Sequence, residues 1–344
     1  MLRRRMLQGA GILVAITPVF LALGFQYRPH SSHSHFEATE KKLLNTHIKE
    51  NSFTLKDVKI SKNQFLHTLV INEGSQDKEK PNLVLMHGWS SGLALWSKNI
   101  DQLAKHYNVY AIDLLGFGRS GRPFFPISSK ATPDQAKSFW VDSFHEWKVE
   151  CFGNQKIILL GHSLGGFLAC TYALEQPEDL QHVILAAPVG IAPFIIPPQK
   201  GWFRKSLERL IWDCGVTPQA ILRSLGFFSQ RVWDRLGNAS NYRGLDKDGW
   251  DYLYQAQMGE PSGDRAFMSI LTREGWGYPL FDKLGDMKVP TRIIYGEHDY
   301  VRPSFAPTAM AKLPVADYKV IQGAGHHMYW SHTNEFNQAV INLK

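Results

Sequence analysis

The sequence predicts an α/β fold: a mostly parallel, doubly wound sheet with a helical cap inserted into it. Three observations point there. Short, near-continuous apolar runs recur along the chain with helical stretches between them. That rhythm breaks once, over residues 189–285, where apolar residues take helical spacing. One apolar run ends in a glycine-flanked turn that leads straight into a small-residue helix. Strands apolar along their whole length belong to a sheet covered on both faces, and the helices between them imply βαβ crossovers.

The bulk properties allow this. At 344 residues, 44% hydrophobic and 20% charged, the chain can bury a large core and carry an insertion. Cys151, Cys170 and Cys214 are odd in number and widely spaced, so they read as buried thiols rather than a disulfide frame. Neither CxxC nor HExxH occurs, and no metal or cofactor is expected. The net charge of +7 suits an anionic partner. The one short basic run is Arg3-Arg4-Arg5, which argues against nucleic acid and leaves lipid head groups.

Residues 1–25 read as a hydrophobic anchor or presequence. The stretch Met6–Phe25 is interrupted by Gln8, Gly9, Gly11, Thr17, Pro18 and Gly24, and about 20 apolar residues suffice to cross a bilayer as a helix. The first acidic residue is Glu37, and Ser31, Ser32 and Ser34 follow the stretch, as in a mitochondrial presequence; its high hydrophobicity suits an anchor. Residues 26–52, rich in His, Ser and Lys, read as a linker, with His30, His33 and His35 as part of a solvated tether.

Residues 53–188 form the first part of the core. A hairpin-like alternation over Val58–Val70 is followed by strands at Asn82–His87, Val109–Leu114, Lys156–Gly161 and His182–Ala187. Residues 189–285 form the cap, with the clusters Trp202-Phe203, Ile211-Trp212, Phe227-Phe228 and Trp233. Nine Lys/Arg face five Asp/Glu over residues 200–250. Phe203, Leu207, Leu210 and Ile211 share one helical face, either a surface for membranes or a helix packed on its own core. Residues 286–344 complete the core, with strands at Thr291–Tyr295 and Asp317–Gln322.

The chemistry gathers at strand ends. Gly161-His162-Ser163-Leu164-Gly165 follows the run Ile157–Leu160 and opens a small-residue helix, as a nucleophile turn requires. A serine hydroxyl needs a base to take its proton and an acid to orient that base. Both occur in order: Asp299 after the strand at 291–295, and His326 after the strand at 317–322. Glu297 is the rival acid and His327 the rival base. The backbone N–H groups of Trp89, in His87-Gly88-Trp89, and of Leu164 are the expected oxyanion donors. His87 is expected to hold its loop rather than take part in the reaction. Asp113–Ser120 is glycine-rich but lacks both G-x-x-x-x-G-K-[ST] and G-x-G-x-x-G, so it reads as a structural turn.

At these residues the sequence resembles the α/β-hydrolase subfamily of abhydrolase domain-containing proteins 4 and 5 and their fungal and plant relatives. The resemblance is carried by LVLMHGWSSGLALW (83–96), VYAIDLLGFGRSGRP (109–123), IILLGHSLGGFLA (157–169), GAGHHMYW (323–330) and EFNQ (335–338). It implies an α/β-hydrolase fold with Ser163, Asp299 and His326 as the triad. The group includes phospholipid and lysophospholipid deacylases, among them mitochondrial cardiolipin deacylases. It also includes a lipase coactivator that lacks the nucleophile, and proteins proposed to acylate lysophosphatidic acid. The proposed acyltransferase signature, His followed five residues later by Asp, has Ser331 in the acid's place here. The sequence therefore leads to a membrane-associated deacylase of phospholipids or lysophospholipids, mitochondrial, with endoplasmic reticulum or lipid droplet as alternatives.

Overall fold

A run of apolar residues four or five long cannot sit in a one-sided sheet without exposing half its side chains, so these strands need cover on both faces. The computed structural model describes residues 33–191, 216–239, 244–272, 275–301, 306–314 and 316–343. Its strands are β1 (Phe53–Ile60), β2 (Gln64–Ile71), β3 (Asn82–Met86), β4 (Asn108–Ile112), β5 (Ile157–His162), β6 (Leu180–Ala186), β7 (Leu271–Thr272), β8 (Gly275–Trp276), β9 (Thr291–Gly296) and β10 (Ala316–Ile321). Eight of them form one sheet in the order β1-β2-β4-β3-β5-β6-β9-β10. The β1–β2 hairpin closes through the three residues Ser61–Asn63, with Lys62 and Asn63 at positive φ and the Gln64 N–H donating back to the Ser61 carbonyl, as tight hairpin turns favour. β2 pairs antiparallel with β4, and the pairings beyond it are parallel. Every residue of β4 and β5 is buried.

The helices are α1 (His33–His47), α2 (Ser97–Leu103), α3 (Pro133–Phe152), α4 (Leu164–Glu175), α5 (Pro218–Ser224), α6 (Ser229–Ala239), α7 (Lys247–Gln257), α8 (Gly263–Ile270), α9 (Ala306–Met310), α10 (Met328–Ser331) and α11 (Thr333–Ile341). Local chemistry sets several starts. Thr132 and Gln135 form a capping box before Pro133. Thr217 and Asp246 cap α5 and α7 through the N–H groups of Ala220 and Gly249. The described part of residues 189–285 holds α5 to α8, and also a short antiparallel pair, β7–β8, that a purely helical insertion would lack.

The linker expected over 26–52 is corrected by α1. Phe36, Leu43 and Leu44 are buried, and with them Glu40. These fall at i, i+4, i+7 and i+8, one helical face. The pattern is easy to miss because one of its four members is a carboxylate. Glu40 accepts from Arg119 at 2.7 Å and faces His67 Nε2 at 3.2 Å. Phe36 meets Tyr252 of α7, their ring centroids 5.6 Å apart. The N-terminal stretch 1–25, residues 26–32 and the amphipathic stretch around 203–211 lie outside the described residues. Among the described residues no helix is long and apolar enough to cross a membrane.

Candidate active site

Ser163 stands between β5 and α4 at φ 55° and ψ −111°. A non-glycine residue in that region stores about 1–3 kcal/mol of strain, held only by its surroundings. Here the Ser163 N–H donates to the Ala186 carbonyl, and its own carbonyl accepts from Phe167 and Val189. The flanking glycines are required by contact. A Cβ on Gly161 would stand 2.0 Å from the Gly165 carbonyl oxygen, and one on Gly165 would stand 2.6 Å from that of His87.

The structure brings Asp299 and His326 together from the loops after β9 and β10. Asp299 Oδ1 accepts from His326 Nδ1 and from the Val301 N–H, both at 2.9 Å. With Nδ1 donating, Nε2 is the ring's proton-accepting nitrogen. Asp299 Oδ2 is buried without a partner among the described residues. The rivals are engaged elsewhere. Glu297 is exposed and accepts from the Gly323 N–H, and His327 Nδ1 faces the Tyr329 hydroxyl at 3.2 Å. Ser163, His326 and His327 all line one cavity of about 380 Å³.

Two further histidines act as struts. His162 donates from Nε2 to the His326 carbonyl at 2.9 Å, tying the nucleophile strand to the base loop. Burial, reinforced by the nearby His326 and His327, holds it neutral by pushing its pKa well below the usual imidazole range. His87 donates from Nδ1 to the Gly88 carbonyl and accepts the Leu114 N–H at Nε2; burial pushes it down to about 4. It holds its loop. The Asp113–Ser120 turn is likewise structural: the Asp113 carboxylate accepts from the N–H groups of Leu93 and Arg119.

Trp89 and Leu164, the expected oxyanion donors, both lie close to the nucleophile along the chain or in space. Leu164 opens α4, and N–H groups in a helix's first turn have no intrahelical partner. The Gly88–Trp89 segment runs against the nucleophile, since a Cβ on Gly88 would stand 3.1 Å from Ser163 Cβ. The Trp89 ring stacks on Phe267 of α8 at 4.7 Å.

A polar clamp on this loop was not legible in the sequence. Ser90, at φ 61°, donates to Gln257 Oε1 and accepts from Gln219 Nε2, while Gln257 Nε2 donates to the Ser90 carbonyl at 2.7 Å. The partners lie 167 and 129 residues away along the chain, and no local signal marks them. Otherwise the insertion gives the cavity an apolar wall of Pro218, Leu222, Trp233, Leu236, Trp250 and Leu253.

Of the cysteines, Cys170 is buried in α4 and Cys151 is half-buried; burial pushes their thiols up to about 12 and 11. Cys214 lies outside the described residues. No cluster of His, Cys, Asp and Glu among the described residues is arranged to hold a metal ion.

A mostly parallel sheet with a strained serine at a strand-to-helix turn, lining one cavity with a carboxylate-bonded histidine, defines an α/β hydrolase. The chain belongs to that family: the family model described as the alpha/beta hydrolase fold matches residues 81–333, and the relatives place it among the abhydrolase-domain proteins. It is 33% identical over 328 residues to the human 1-acylglycerol-3-phosphate O-acyltransferase ABHD5, covering 90% of this chain and 89% of that one. It is 31% identical over 306 residues to a mouse (lyso)-N-acylphosphatidylethanolamine lipase, covering 85% of this chain and 86% of that one. Among solved structures, naproxen esterase from Bacillus subtilis superposes with a TM-score of 0.61 at 20% identity, covering 90% of this chain and 98% of that one. A bacterial membrane phospholipase A superposes with a TM-score of 0.60 at 20% identity, covering 98% and 96%. At that identity the superpositions speak for the fold alone.

Proposed function

We propose that this chain is a membrane-associated serine hydrolase that deacylates phospholipids or lysophospholipids through an acyl-enzyme on Ser163. One observation carries the reading: the strained Ser163 lines the same cavity as His326, whose Nδ1 is held by Asp299. In the proposed reaction His326 Nε2 takes the Ser163 proton as Oγ attacks the ester carbonyl. Asp299 holds the ring in the tautomer that can do so. The N–H groups of Trp89 and Leu164 receive the developing oxyanion. His326 then returns the proton to the leaving alcohol, and water activated by the same ring hydrolyses the acyl-enzyme. The apolar wall of the cavity suits an acyl chain, and the likeness to the mouse (lyso)-N-acylphosphatidylethanolamine lipase supports a lipid substrate. The stretch Met6–Phe25 would hold the protein at the membrane.

Transfer of the acyl group to lysophosphatidic acid is the second reading, favoured by the name of the human relative. The Ser331 hydroxyl contacts the His327 carbonyl and His332 Nδ1, and it supplies no carboxylate where the proposed signature has one. A third reading, a non-enzymatic lipase coactivator, requires the intact Ser163 to be idle. Incubating the full chain with phospholipid, with and without lysophosphatidic acid, separates all three. The proposal expects free fatty acid from wild type and none from Ser163→Ala. New phosphatidic acid without fatty acid supports transfer, and no turnover at all supports the coactivator.

A further inference from the structure

The two helices that wall the cavity also have an outward side. Pro218, Gln219 and Leu222 of α5 line the cavity, as do Trp233 and Leu236 of α6. At the corner between those helices Phe227 is 95% exposed and Phe228 62%, with Ile221 of α5 at 49%. Large apolar side chains at such exposure are costly in water, and clustered they mark a contact surface. Arg231 and Arg235 of α6, which begins just after Phe228, stand four residues apart, the interval that keeps residues on one helical ridge, and both are exposed. Apolar side chains beside guanidinium groups suit the boundary between acyl chains and anionic head groups.

The N-terminus adds a second, independent line. His35 and Thr39 of α1 line a groove with Gln230 and Asp234 of α6, so the chain preceding α1 emerges beside this ridge. The seven residues 26–32 span at most about 25 Å. The apolar stretch Met6–Phe25 therefore joins the chain within about 25 Å of the start of α1.

We infer that the outward edge of α5 and α6, formed by Ile221, Phe227, Phe228, Arg231 and Arg235, docks on an anionic phospholipid bilayer and turns the mouth of the cavity towards it. The inference rests on the lipid-ester reading above and names the surface that delivers the substrate.

The test uses the full chain with vesicles of phosphatidylcholine, alone or with about one-third phosphatidylglycerol. Phe227→Asp combined with Phe228→Asp should lower hydrolysis of vesicle phospholipid by about tenfold or more, because each ring loses its burial in the interface. Fluorophosphonate labelling of Ser163 and turnover of a water-soluble short-chain ester should be unchanged. Arg231→Glu with Arg235→Glu should remove most of the rate gained from phosphatidylglycerol. Unchanged vesicle hydrolysis in a variant that still labels overturns the docking surface. Should the variants lose labelling too, a dye-bearing amino acid at position 227 decides the matter: quenching by brominated lipids supports docking, and its absence overturns it. A wild type that docks by this measure but neither labels nor hydrolyses overturns the hydrolase reading and leaves the surface standing.

Discussion

Asp299 is buried, and its Oδ1 is the carboxylate oxygen that meets His326. Replacing it by Asn keeps the shape and removes the charge, so the ring loses the tautomer that leaves Nε2 free. In a triad of this kind the expected loss in turnover is about 10⁴-fold. Steady-state ester hydrolysis by Asp299→Asn checks it, and a variant within tenfold of wild type would remove Asp299 from the role. Gln257 offers a gentler test. Its amide grips Ser90, the neighbour of Trp89, from the insertion. Gln257→Leu should lower turnover about tenfold, short of the ~10²–10³ that follows loss of an oxyanion donor itself. At this scale the serine turn and the Asp299–His326 pair were legible because each member sits in a short motif at a strand end, in chain order. The Ser90–Gln219–Gln257 clamp was not, because its members meet only after the chain has folded.

Among the elements, α1 is the one whose sequence misleads. Its buried face includes Glu40, and a carboxylate at a core position reads as solvent-exposed until its partners are known. Those partners are Arg119 and His67, with Asp57 on the far side of the imidazole at 2.6 Å. Burial opposes the charge on His67, yet the hydrogen bonds to Asp57 and Glu40 outweigh it and push the ring up to about 9. The folded protein therefore binds this proton more tightly than the unfolded chain does, where the ordinary value is 6.5. The resulting stability is fully present below about pH 6.5 and lost as pH rises through about 9. It amounts to about 3 kcal/mol. Denaturant midpoints should fall between pH 6.5 and 9.5 in wild type, and His67→Gln should flatten the decline. A wild-type midpoint that holds across that range would refute the account of how α1 is held. The inner strands β3 to β6 and β9, by contrast, were readable within a few residues, since runs apolar on both faces have only one home in such a sheet.

Across the whole molecule, the predicted sheet, the inserted helices and the serine turn assemble as one site, with the cavity between sheet and insertion. What the sequence did not convey is how the insertion grips the loop at Ser90, or that its corner exposes Phe227 and Phe228. The address of the molecule belongs to this scale. We propose a mitochondrial membrane, and a fluorescent fusion of residues 1–35 should co-localise with mitochondria; reticular or droplet labelling would assign one of the alternatives. The central claim is that Ser163 is an activated nucleophile. Fluorophosphonate treatment of the full-length protein, followed by peptide mass mapping, tests this most directly. The account predicts a single adduct on Ser163 that forms far more slowly in His326→Ala. An unmodified Ser163, or equal labelling in the two proteins, would contradict it.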